Sequence, residues 1–129
     1  MTTSTQAAAK TEWIKQNLKP GELYAGILLG KDNQPDQHII LLPGDQSGLT
    51  WAKAKEFAKK AGGELPTRRE QSLLFANLRE EFQRDWYWSG EQHASVAGYA
   101  WCQNFSLGTQ LTTHKTSQLR ARAVRRLPI

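Results

Sequence analysis

Apolar positions alternate between helical and strand spacing along this chain, and the switches mark its elements. Ala7, Ile14 and Leu18 fall near one helical stripe that Lys19-Pro20-Gly21 ends, which predicts a short amphipathic helix over 7–18. Leu23 to Leu29 and His38 to Leu42 are nearly continuous apolar runs too short for helices, so they predict buried strands. Between them Lys31 to Gln37 carries Asp, Asn and Pro, the turn formers of a hairpin with a long loop, and Gly44 to Gly48 reads as a second loop.

Two helices come next. Thr50 is placed to cap a helix in which Trp51, Ala54, Phe57, Ala58 and Ala61 share a face, while Lys53, Lys55, Glu56, Lys59 and Lys60 face water and Gly62-Gly63 ends it. Pro66 disfavours helix in Leu65, and Thr67-Arg68-Arg69-Glu70 then matches a capping box opening a helix lined by Gln71, Leu74, Phe75, Leu78 and Phe82. Beyond Asp85 the spacing turns to strands: Trp86 to Ser89, Tyr99 to Phe105 after a polar loop over 90–98, and Leu119 to Leu127 after a turn at Gly108. Helices in the middle with strands at both ends predict an α+β domain.

Composition narrows this picture. The 129 residues suffice for one self-supporting core. A single cysteine, Cys102, excludes an intramolecular disulfide and predicts a buried, inert thiol. The first ten residues are mostly Thr, Ser, Gln and Ala, and no stretch approaches about 18 consecutive apolar residues, so neither a secretory signal nor a membrane span is expected. The net charge of +5 is unevenly placed: the twelve basic and twelve acidic residues before Lys115 cancel, leaving Lys115, Arg120, Arg122, Arg125 and Arg126 as the excess. This basic patch could steer an anionic partner, or its arginines could decorate an edge strand and reach acids on neighbouring elements.

A series of motifs carries more. Thr50-Trp51-Ala52-x-Ala54, Gly62-Gly63-Glu64-Leu65-Pro66-Thr67-Arg68-x-Glu70, Trp86-Tyr87-Trp88-Ser89, Ala100-Trp101, Phe105, Gly108 and Arg120-x-Arg122-Ala123-Val124-Arg125 follow in order. Together they resemble the C-type-lectin-like domain at the C-terminus of the Legionella collagen-like protein and in many small prophage proteins. The resemblance covers roughly residues 22–127. It implies two helices packed on a mainly antiparallel sheet with first and last strands paired, over residues 21–129, preceded by a helical or flexible segment over 1–20. It also implies a phage or prophage binding module for a protein or surface glycan, acting in the host cytoplasm or the virion, with a virion component or host protein as partner. Trp101 would be internal, and the contact surface would lie within 92–116.

Two departures bear on mechanism. Animal C-type lectins bind sugar through calcium with a Glu/Gln-Pro-Asn/Asp tripeptide in a long loop followed by Trp-Asn-Asp, whereas Gln34-Pro35-Asp36 lies too early in this chain, no Trp-Asn-Asp occurs, and the tripeptide reads as a turn. The loop over 90–98 offers Glu91 as its one carboxylate, where calcium takes about six to eight oxygens. The enzymatic branch of the fold, the formylglycine-generating enzymes, resembles in its chemistry a copper-bound cysteine pair, which one cysteine in this chain cannot supply. No cofactor and no metal are therefore expected.

Within the late segment, Gln92, His93, Tyr99, Gln103, Gln110, Thr112 and His114 are the candidate ligand-binding residues, since Tyr supplies contact area and short polar side chains supply hydrogen bonds. An ordinary solvated loop has the same composition. Glu91 and His93 near Ser89 could make a catalytic group, although loops carry these residues without a chemical task. The expectation is a binding protein without enzymatic activity, with self-association through the N-terminal helix a further possibility. The alternative is a nucleic-acid-associated protein using the basic final strand.

Overall fold

A computed structural model describes residues 3–129 and gives an α+β architecture. In chain order the elements are α1 (Thr3–Asn17), β1 (Leu23–Leu28), β2 (Gln37–Leu41), β3 (Gln46–Leu49), α2 (Trp51–Lys60), α3 (Arg68–Leu78) with a 3-10 turn (Arg79–Glu81), β4 (Trp86–Gln92), β5 (Tyr99–Asn104), β6 (Gln110–His114), β7 (Leu119–Ala121) and β8 (Val124–Pro128). One sheet has the order β1-β2-β8 and the other β3-β7-β4-β5-β6; every pairing is antiparallel except β4 with β7.

Three α-helices are present where the resemblance implies two on the sheet. The third is α1, the helix expected over 7–18 and found over Thr3–Asn17, which docks through Trp13, whose ring lies 5.1 Å from Tyr24 and 4.2 Å from His38. The other helices form where their caps predict. Thr50 Oγ1 accepts from Lys53 N at 3.4 Å, and Thr67 and Glu70 make the reciprocal capping box. Gly62, at φ +93°, ends α2 in a conformation that side-chain-bearing residues rarely adopt.

The first and last strands are not partners. β8 lies along β2, and β1 occupies the outer edge. Ile39, Ile40 and Leu41 of β2 are wholly buried, so β2 requires a neighbour on each side and takes the central place. β1 is interrupted by a bulge between Tyr24 and Gly26 and exposes Ile27, which suits an edge.

Three further differences follow, the first two from short strands without clean alternation. Part of the expected 44–48 loop is β3, the segment after Gly108 is β6, and the single strand expected over 119–127 is two. Arg122 causes that last break. Its guanidinium turns inward, donating to Leu42 O at 2.8 Å and Glu81 O at 2.7 Å, and the chain passes there from one sheet to the other.

β4 joins two cores. Trp88 packs with Trp51, Ala54, Ala58 and Cys102, while Tyr87 packs with Ile39, Leu74, Phe82 and Phe105. A central strand buried on both sides holds β5 and β6 in fixed register, and that pair carries the candidate site.

Candidate functional site

Alternation along β5 sends Ala100 and Cys102 into the core and leaves Tyr99, Trp101 and Gln103 on the opposite side. β6 pairs so that Tyr99 faces His114, Trp101 faces Thr112 and Gln103 faces Gln110. Five of the seven residues expected to bind ligand therefore share one sheet face in three cross-strand rows.

The rows differ in how much they offer. In the first, Tyr99 OH and His114 Nε2 are 3.0 Å apart and the rings are 4.4 Å apart, at an exposed position. In the second, Trp101 is half-buried beside Thr112, with the Arg68 guanidinium 3.4 Å from its ring centroid and the His93 ring nearly parallel to it at 6.4 Å. Trp101 is thus not internal, as the resemblance implied, because its strand side faces out and only Arg68 and His93 shield it.

The third row is closed by the start of α3. Gln103 is wholly buried, and its amide donates to Gln71 O at 3.0 Å while accepting from Gln110 Nε2 at 2.7 Å. Gln110 also donates to Arg68 O at 2.8 Å and accepts from Arg68 Nε at 3.1 Å. These amides join α3 to the sheet. Gln103 is consequently not a surface contact residue: with its polar groups used internally, it holds the face in shape.

Gln92 and His93 flank the open rows. Gln92 is exposed at the end of β4, and its Oε1 accepts from Lys115 Nζ at 2.6 Å. His93 Nδ1 accepts from Ser95 N and Val96 N, both at 3.0 Å, which puts the ring proton of the neutral imidazole on Nε2. Glu91 accepts from Arg68 N at 2.6 Å, at the start of α3, and Ser89 is buried with its hydroxyl accepting from Glu91 N at 3.1 Å. The three side chains considered for catalysis are each engaged with backbone instead of with one another. Among the described residues, no group of three or more His, Cys, Asp or Glu is placed to hold a metal ion. Cys102 is buried, and burial pushes its thiol up to about 12.

The basic patch is not an outward-facing cluster. Arg120 pairs with Asp45 and Asp85, Arg125 with Glu22, and Arg126 with Glu64 and Glu70 at distances of 2.5 to 3.2 Å. Arg122 is buried, where desolvation lowers its pKa, and Lys115 lies over Trp51 beside Gln92. The sequence shows where these cations are but not their partners, which lie on other elements.

Two contributors are misplaced by the sequence: Trp101 is visible as an aromatic candidate but the resemblance puts it inside, and Arg68 reads only as part of a helix start. An arginine directly after an N-cap, on a helix whose first turn meets a sheet face, is the signal that was available.

Fold and site together define an α+β domain presenting an aromatic and polar sheet face. No family model matches this chain, and no curated protein matches it.

Proposed function

We propose that this chain is a non-enzymatic, calcium-independent binding module of C-type-lectin-like fold, of phage or prophage origin, that recognises a protein or surface glycan through the Tyr99–His114 and Trp101–Thr112 rows. The carrying observation is that these four side chains share one open face, bordered by a hydrogen-bonded network of the buried Gln103 and the partly buried Gln110 and Arg68, tied to the backbone of Gln71. Aromatic rings on such a preorganised face offer contact area at little entropic cost, and Thr112, His93 and Gln92 add hydrogen bonding at the margin. Glu91, the loop carboxylate that calcium would need, is engaged at the α3 N-terminus, which supports a calcium-independent reading. Two helices against the sheets, and a last strand returning beside the first hairpin, support the fold assignment.

The test is a screen against glycans and against virion and host proteins, followed by Tyr99→Ala and His114→Ala. Each substitution is expected to weaken the binding found by about tenfold, the cost of an aromatic contact residue at an interface centre. Unchanged affinity in both variants would reject this face.

A further inference from the structure

With Arg120, Arg125 and Arg126 paired, positive charge without an acidic partner lies elsewhere, on the lysines among other groups. Among the described residues every ion pair uses an arginine, and no lysine is in one. Two lysine ammoniums instead converge on a single indole: Lys55 Nζ lies 3.9 Å and Lys115 Nζ 4.6 Å from the Trp51 ring centroid. The backbone enforces the second approach, because Trp51 N donates to Lys115 O at 3.0 Å and ties the segment after β6 to the start of α2. The indole gives each cation partial compensation, but two like charges on one ring repel, and an anion bound beside either of them would relieve that repulsion.

Beside this pair opens a cleft of ≈650 Å³ between α2 and the segment leading to α3, lined by Lys55, Lys59, Gly63, Glu64, Thr67 and Arg126. Its single carboxylate, Glu64, is 74% exposed and already paired with Arg126, so the cleft is left with the two uncompensated lysines. The neighbouring cleft differs: Arg126 is paired there with Glu70, and Glu91 caps the helix end. The volume is that of a small-ligand site, and one or two sugar units fit it.

We infer that this cleft, with Lys115 and Gln92 nearby on the Trp51 ring that Lys55 also covers, binds the acidic substituents of a glycan, either carboxylates or sulfates. The inference rests on the proposed binding role and narrows its ligand to an anionic saccharide. A glycan is favoured over nucleic acid because three lysines beside an amide and a hydroxyl suit sparse charge among hydroxyl groups. Arg126, the arginine lining this cleft, would fit a phosphate bidentately, but it is occupied by Glu64 and Glu70.

The test compares a sulfated, uronate-bearing oligosaccharide with its desulfated, carboxyl-reduced counterpart, a DNA duplex and poly-glutamate, by calorimetry at low salt. Lys55→Gln with Lys59→Gln should weaken the acidic oligosaccharide by about tenfold or more, while Lys53→Gln with Lys60→Gln, removing the same charge from the other side of α2, should change it by less than about twofold. Thermal melts should stay unchanged in both double variants, since all four lysines are exposed. Equal weakening by the two pairs, equal binding of the neutral counterpart, or tighter binding of DNA or poly-glutamate would each overturn the inference. If Tyr99→Ala and His114→Ala weaken a ligand that the Lys55/Lys59 pair does not affect, the cleft assignment fails and the face assignment stands. If they weaken no ligand, the face assignment fails.

Discussion

Arg126 shows how a surface-looking cation in the sequence becomes structural. Its Nε donates to Glu70 Oε2 at 2.5 Å and its Nη2 to Glu70 Oε1 at 2.8 Å, a bidentate pair on a carboxylate that is 1% exposed. Glu70 also accepts from Thr67 N in the capping box, so one carboxylate joins the start of α3 to the last strand. Arg126→Ala would leave that carboxylate buried and unpaired. We expect a loss of about 3 kcal/mol in unfolding free energy, read from the urea midpoint, and a loss below about 1 kcal/mol would show the pair to be dispensable. The sequence displayed Thr67 and Glu70 as a local motif, but not Arg126 as their third member, because a distance of 56 residues leaves no periodic trace. Trp101 was illegible for a related reason. Alternation sorts a strand into two sides without saying which faces water.

Elements were legible where signals were local. The caps of α2 and α3, the hairpin of β1 and β2, and the positions of β4 and β5 follow from spacing and capping chemistry. β6 escaped because Leu111 is its one apolar residue and Thr113 breaks the alternation, and β7 and β8 fused in the sequence because nothing local marks Arg122 as turning inward. The paired glycines after α2 have separate tasks. Gly62 supplies a positive φ, whereas a Cβ on Gly63 would lie 2.2 Å from Val124 O, where the chain crosses β8. Gly63→Ala should therefore separate Glu64 from its bridge to Val124 and destabilise the fold by about 2 kcal/mol or more, measured by thermal melting; a melt like the native one would mean that the crossing yields freely. The attachment of α1 depends on pH. Arg125 donates to both Glu22 oxygens and to Asn17 O at the end of α1, and the Arg125 side chain, as the largest cause, lowers the Glu22 pKa below its ordinary 4.5. A carboxylate with a lowered folded pKa contributes stability that is complete above its unfolded value and is lost as pH falls through the folded one. Below about pH 4.5 the Trp13 indole resonance should shift as the tie weakens, and Glu22→Gln should remove that step; an identical acid transition in the variant would contradict the assignment.

The whole molecule is organised around β4, whose two buried sides let α2 and α3 pack on separate cores while β5 and β6 extend outward. Charge follows the same division. Paired arginines bind the last strands to the body, and free lysines collect along α2. The α+β class was readable because it needs only the order of local patterns. The partnership of β8 with β2 was not, since it depends on which strand must be buried at both edges. Of the candidate face, sequence supplied Tyr99, Thr112 and His114 as members, and the register of β5 on β6 made them neighbours. The most direct measurement is a 15N–1H correlation spectrum of the labelled chain titrated with the first ligand that a screen identifies. Perturbations should centre on Tyr99, the Trp101 indole, Thr112 and His114 and leave α1 and the outer edge of β1 unmoved; a map centred on α1 or β1, with those four signals unchanged, would contradict the account.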